Sequence, residues 1–176
     1  MRTIDQFNFK DKKALVRVDF NVPIDNNRVT DNSRIMAAKD TIDKVCNDGG
    51  SCILVSHLGR PQAAEKKYSM LNILCELEAV FNRKVILSKD IIGHDSISKA
   101  NNLKSGQILL LENVRFHKEE TQGDIRFAEE LSKLADCFIN DAFGTAHRAH
   151  ASTTLVAQFF KDKFFGKCLE SELKSI

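Results

Sequence analysis

The chain lacks most of the devices that would mark a metal centre, a nucleotide cradle or a membrane anchor. Its five cysteines, Cys46, Cys52, Cys75, Cys137 and Cys168, are odd in number and no two stand in CxxC spacing. That argues against a disulfide framework or a zinc site; four lie in apolar or periodic stretches and are expected as buried free thiols. Neither GxxxxGK[ST] nor GxGxxG occurs, and of the eight glycines only Gly49 and Gly50 are adjacent. No loop is therefore built to wrap a nucleotide's phosphates. No apolar run approaches the roughly 18–20 residues of a membrane span, and the opening residues lack the apolar stretch of a secretory signal. Low-complexity tracts and internal repeats are absent. A dominant charge is also missing: the net charge is +2, which argues against general nucleic-acid binding. A monomeric cytoplasmic protein is expected, with no membrane or nucleic-acid partner.

What is present is an alternation. Short runs rich in Val, Ile and Leu alternate with helical patterns, as in a parallel sheet with helices on both faces. The expected strands are Ala14–Val18, Cys52–Ser56, Lys84–Leu87, Ile108–Leu111 and Cys137–Asn140. They do not alternate with polar residues, which marks strands buried on both faces. One helix is expected to start with Asp31 or Ser33 as N-cap and to end before Gly49, with Ile35, Ala38, Ile42 and Val45 inward. A second covers about Met70–Phe81, with Leu71, Leu74 or Cys75, and Glu78 following its turns. A third runs from Ile125 to Ala135, capped by Asp124, with Phe127, Leu131 and Leu134 inward. Phe165, Leu169, Leu173 and Ile176 have the spacing of a further amphipathic helix, with no stop signal before the last residue. Pro61–Lys67 reads as a loop. At 176 residues, one domain is expected.

In parallel sheets ligands bind beyond the carboxyl ends of the strands. Four of those ends are rich in polar groups: Asp19 to Pro23, His57 to Pro61, Glu112 to Phe116, and Asp141 to His150. Three deliver an arginine, namely Arg60, Arg115 and Arg148. Arg34 adds a fourth near a helix N-terminus, where the macrodipole also favours an anion. Guanidinium forks bind phosphate and carboxylate in bidentate fashion, so the ligand expected is small and carries two or more negative charges. His57 and His147 are read as hydrogen-bond donors beside it. His147 and His150 have metal-pair spacing, but no Cys, Asp or Glu completes the set, and no metal is expected. For His150 a structural role and a ligand role stay equally open. His94 and His117 read as surface residues.

Four blocks carry a family resemblance: Val16-Arg17-Val18-Asp19-Phe20-Asn21-Val22-Pro23, Ser56-His57-Leu58-Gly59-Arg60-Pro61, Leu111-Glu112-Asn113-Val114-Arg115-Phe116, and the run Asn140 to His150. In order and spacing they resemble the N-terminal domain of phosphoglycerate kinase, over essentially the whole chain. The resemblance implies a Rossmann-like domain that binds 3-phosphoglycerate or 1,3-bisphosphoglycerate in a basic patch facing an interdomain cleft. It implies Asp19 and Asn21 at the glycerate hydroxyl and carboxyl region. His57, Arg60, Arg115 and Arg148 would hold the 3-phosphate, with Leu58 and Gly59 in the same substrate loop and Arg17 and His147 in the same patch. Arg34 would be the catalytic residue, stabilising negative charge in the transition state.

The family is about twice this length. Its second domain carries the glycine-rich nucleotide site, a lysine for the transferring phosphate and the carboxylate for Mg-nucleotide, and none of these motifs stands in this sequence. Residues 1–164 are therefore expected as the substrate-binding domain and 165–176 as the start of the interdomain helix. The chain itself is expected to bind no cofactor and to be inactive alone, with Mg-ATP or Mg-ADP held by the other domain of the parent kinase. The alternative is a stand-alone, non-catalytic module that binds phosphoglycerate.

Overall fold

The computed structural model describes residues 2–145 and 148–176. In chain order the elements are β1 (Arg2–Thr3), β2 (Lys13–Arg17), β3 (Ile24–Asp25), β4 (Arg28–Val29), α1 (Ser33–Asn47), β5 (Ser51–Val55), α2 (Leu74–Phe81), β6 (Val85–Leu87), α3 (His94–Asn101), β7 (Ile108–Leu110), α4 (Lys118–Gln122), α5 (Ile125–Ser132), β8 (Cys137–Asn140), β9 (Lys163–Phe165) and α6 (Lys167–Lys174). Seven strands form one sheet in the order β1-β9-β8-β2-β5-β7-β6, and every pairing in it is parallel. β3 and β4 form a separate antiparallel hairpin. Its two turn residues, Asn26 and Asn27, both have positive φ, the backbone a tight hairpin turn requires and asparagine tolerates.

Alternate side chains of each strand enter two separate cores. Ala14, Val16, Cys52, Leu54, Ile108, Leu110 and Ile139 pack with α1 and α2. Leu15, Ile53, Val55, Leu109 and Phe138 pack with α3 and α5 on the other face. Both faces are dry, which is why these strands read as unbroken apolar runs. The connections from β2 to β5 and from β7 to β8 use opposite faces, so the winding reverses around β2. Its end opens between those of β5 and β8, where a doubly wound sheet forms its crevice.

The α/β architecture matches the reading from sequence, with local corrections. The N-cap of α1 is Asn32 rather than Asp31 or Ser33; the Asp31 carboxylate, one residue further out, accepts from Ser33 N, the first amide of the helix, at 2.9 Å. Residues 70–81 begin as a 3-10 turn before α2. Their inward side is Met70, Ile73, Leu77 and Phe81, while Leu71 is 62% exposed and Cys75 lies on the surface. Asp124 caps α5 as expected, accepting from Arg126 N and Phe127 N. Phe165 belongs to a strand, α6 starts at Lys167 and ends at Lys174, and only Leu169 of the expected stripe is buried; Ile176 is 90% exposed. Three thiols, Cys46, Cys52 and Cys137, are buried; all five are free. Among the described residues no helix is long and apolar enough to cross a membrane.

Candidate functional site

The end of β2 delivers Asp19 and Asn21. Asp19 Oδ1 accepts from Asn21 N at 3.1 Å and from Arg34 Nη1 at 3.3 Å. Arg34, on the first turn of α1, also donates to Asn21 O at 2.8 Å. Asn21 Oδ1 accepts from Gly59 N at 2.8 Å. A chain of hydrogen bonds thus ties the start of α1 to the ends of β2 and β5.

The end of β5 delivers Ser56 to Arg60. Ser56 Oγ accepts from Phe20 N and donates to His57 O, locking this turn to β2. His57 is buried, and its Nδ1 lies 3.2 Å from Arg17 Nη2. Arginine can only donate, so Nδ1 accepts and the ring proton sits on Nε2. Burial, reinforced by Arg17, Arg115, Arg34 and His150, pushes the His57 pKa down to about 2. The imidazole is a neutral donor, not a cation. Leu58 is buried, Gly59 is half-buried and Arg60 reaches solvent.

Past β7, Arg115 is half-buried and its Nη1 points to Gly59 O at 3.5 Å. Its Nε is buried and meets no acceptor. Burial lowers its pKa and Arg148 adds to this, while Glu120 opposes them. Past β8, Arg148 is exposed; its carbonyl accepts from the hydroxyls of Thr153 and Thr154, at 3.0 and 2.8 Å. His150 is half-buried with Nδ1 unpartnered. Burial depresses its pKa, with Glu120 opposing and Arg115, Arg148 and Arg17 assisting.

Arg60, Arg115 and Arg148 follow β5, β7 and β8, and Arg34 stands on the first turn of the helix that follows β2, so all four lie at the carboxyl end of the parallel sheet. An open cleft of about 580 Å³ lies on one side, lined by Arg60, Arg115, His117 and Lys118 among others. A hollow of about 430 Å³ lies beside Arg34, Asp19, Asp141 and Gly144. Arg17 is different: it is 0% exposed and lies beneath the surface. Its guanidinium donates to Ser152 Oγ at 2.8 Å, to Val18 O and to His57. It holds the floor of the patch rather than lining it. His147, together with Ala146, lies outside the described residues. Among the described residues no three His, Cys, Asp or Glu side chains converge as a metal would need.

A family model described as phosphoglycerate kinase matches residues 4–176 of this chain. The chain belongs to the phosphoglycerate kinase family. It is 45% identical to the phosphoglycerate kinase of Porphyromonas gingivalis, over 99% of this chain and 48% of that protein. With the phosphoglycerate kinase of Prochlorococcus marinus it shares 44% identity, over 99% of this chain and 44% of that protein. Among solved structures it is similar to the phosphoglycerate kinases of Pyrococcus horikoshii and Coxiella burnetii. The TM-scores are 0.90 and 0.85, the identities 30% and 33%, and the coverage 99% and 98% of this chain but 44% and 43% of those chains. The chain spans about half the length of the curated relatives it matches.

This phosphoglycerate kinase family chain also uses two residues that sequence reading passed over. Glu120 is a fully buried acid on α4. Its Oε1 accepts from Ser152 N at 2.7 Å and its carbonyl from Ala151 N at 3.0 Å, so it anchors the segment after His150. Its charge is also the largest influence opposing the effect of burial on Arg17. Asn113, fully buried after β7, touches three segments of the chain at once. The signal for Asn113 was its place in a strand-end block; Glu120, in a run of charged residues, gave none.

Proposed function

We propose that this chain carries the 3-phosphoglycerate and 1,3-bisphosphoglycerate site of a cytoplasmic, monomeric phosphoglycerate kinase, built on residues 1–164. Residues 165–176 begin the link to the nucleotide-binding part of the enzyme. The observation that carries the reading is the gathering of Arg34, Arg60, Arg115 and Arg148 around a neutral His57 at one end of a parallel sheet. Four guanidinium groups suit a ligand with a phosphate at one end and a carboxylate or acyl phosphate at the other.

The roles then divide by position. Arg60, Arg115 and Arg148 hold the non-reacting phosphate, with His57 donating from Nε2 and Arg17 bracing His57 from below. Asp19, Asn21 and the Leu58–Gly59 backbone orient the glycerate, and His147 belongs to the same patch. Arg34, tied to Asp19 and Asn21 at the other end of the site, stands by the reacting carboxylate. In the direction that consumes ATP, a carboxylate oxygen forms a bond to the γ-phosphorus as the bond to the β-phosphate oxygen breaks. Catalysis of such a transfer is positioning and charge stabilisation. Mg-ATP or Mg-ADP is the co-substrate and is held by residues outside this chain, so the chain alone binds 3-phosphoglycerate weakly and turns nothing over.

Calorimetric titration tests this directly. Saturable heat with 3-phosphoglycerate, abolished by Arg148→Ala, and none with Mg-ATP are the expected results. Failure of the unsubstituted chain to bind 3-phosphoglycerate would remove the substrate assignment. Site-specific Mg-ATP binding would remove the division of labour.

A further inference from the structure

The loop that carries Arg60 and the loop that carries Arg115 come from different strands, yet one side chain sets their separation. Asn113 is 0% exposed. Its Nδ2 donates to Leu58 O at 2.7 Å and to Tyr68 O at 2.9 Å, and its Oδ1 accepts from Arg115 N at 3.0 Å. Both amide hydrogens and the amide oxygen are thus engaged, with no member left over. The Leu58 carbonyl stands between His57 and the Gly59–Arg60 turn. The Arg115 amide lies in the first turn of the short 3-10 helix Val114–Phe116, which Asn113 caps.

The third partner explains why two carbonyls are held rather than one. Gly59 has φ +64°, and a Cβ there would overlap the Tyr68 ring. The ring occupies the space a side chain at 59 would need, so the course of the Arg60 loop depends on where Tyr68 sits. Asn113 holds the Tyr68 carbonyl. Its neighbour Glu112 holds the next two residues, accepting from Ser69 Oγ and Met70 N, each at 2.7 Å. Arg115 closes the ring by reaching Gly59 O at 3.5 Å. Only a primary amide supplies two donors and an acceptor in one plane at this size. Aspartate would set an oxygen against two carbonyl oxygens, and serine would lose at least one donor.

We infer that Asn113 is a positioning residue for phosphate binding: it touches no ligand but fixes Arg60 and Arg115 at the separation a phosphate spans. The inference rests on the function proposed above. Its alternative is a plain contribution to stability, and the two differ in what they move. Asn113→Asp keeps the acceptor for Arg115 N and removes both donors; Asn113→Ser is uncharged and serves if the aspartate variant does not fold. Leu131→Ala, in the core beneath α5, supplies a destabilised control in which no residue of the site or of the Asn113 network is substituted.

The experiment pairs calorimetry with 3-phosphoglycerate and amide hydrogen exchange without ligand, at temperatures chosen for equal fractional stability. Against the Leu131→Ala chain, both Asn113 variants should bind at least ~10-fold more weakly and exchange the Gly59 amide at least ~10-fold faster, since preorganised charge-assisted contacts are lost with the geometry. The Arg115 amide should stay slow in Asn113→Asp, which keeps its acceptor. Affinity within about twofold of the control, or Gly59 exchange no faster than in the control, overturns the inference. If the unsubstituted chain binds no 3-phosphoglycerate, the proposed function fails, and the exchange comparison alone still decides whether Asn113 fixes the two loops.

Discussion

The two rims of the sheet solve opposite problems. At the amino ends of the strands, polar groups find partners within the protein. Lys13 N donates to Asp136, Asp136 N donates back to Lys13 O, Asp48 takes both Phe9 N and Lys44 Nζ, and Gly49 O takes Ser105 Oγ. At the carboxyl ends, Arg17, His57 and Glu120 are buried together. Of the six buried side-chain atoms without a partner among the described residues, Arg115 Nε, Thr145 Oγ1, His150 Nδ1, Asp141 Oδ2 and Glu120 Oε2 belong to this rim. Unpaired buried polar atoms cost stability. One rim spends its polar groups on holding the fold, and the other leaves several of them buried without a protein partner among the described residues.

The sharpest way to break this contrast is Arg17→Met. It removes a buried cation with its bonds to Ser152, Val18 and His57 and takes one positive charge from the surroundings of buried Glu120, a loss expected at ~3–5 kcal/mol in urea unfolding. An unchanged midpoint would mean that Arg17 is dispensable to the folding of this rim.

Asp141 gives the second test. Burial raises its carboxyl from 3.8 to about 6, against the Leu169, Thr41 and Cys168 hydrogen bonds that pull it down. A carboxyl raised in the folded state contributes stability that is fully present below its unfolded pKa and lost as pH rises through the folded one. Asp141→Asn does not titrate and keeps an acceptor for Leu169 N. Relative to the variant, the wild type should therefore lose up to roughly 3 kcal/mol between about pH 4 and pH 7. Parallel stability curves for the two proteins would show that the carboxyl is not raised.

Within the carboxyl rim, Arg34 and Arg148 should part company. In the whole enzyme, Arg34→Ala should lower kcat by about 100-fold, as removal of a preorganised charge stabiliser does. Arg148→Ala should mainly raise KM, the signature of the proposed grip on a phosphate that does not react. Steady-state kinetics read both, and a kcat within about threefold of wild type for Arg34→Ala would withdraw its transition-state role. The smallest effect belongs to the opposite rim. Lys44→Ala breaks a part-exposed pair with Asp48, which keeps its bond from Phe9 N. Thermal unfolding should register less than ~1 kcal/mol; a larger loss would erase the contrast between the rims.

The sheet was legible because five adjacent strands, from β8 across to the edge strand β6, are apolar runs without polar alternation. What escaped had weak or misleading patterns. β1 has two residues and cannot show a period. The three residues of β9 ran straight into the spacing of α6 and were absorbed by it. The helix His94–Asn101 buries only Ser96 and Ala100, so its inward face is not apolar in sequence. In the site, the exposed arginines could be placed because each follows a strand. Arg17 could be placed near them but not beneath them, since depth is set by Ser152, which is 135 residues away in sequence. Glu120 looked like one more solvated charge for the same reason: its partner is remote in sequence.

The pairing of β1 with β9 has a consequence in time. Arg2 is in register with Phe164, and Thr3 with Phe165. The rings of Phe7 and Phe9 lie 4.6 and 5.5 Å from that of Phe164. During synthesis β1 has no neighbour in the sheet until β9, the last strand described in chain order, emerges. At ~5–20 residues per second this leaves the amino-terminal aromatics uncovered for about 10–30 s of synthesis. During that interval the nascent chain presents a small apolar surface to whatever waits at the exit tunnel, and the arrival of Lys163–Phe165 ends it.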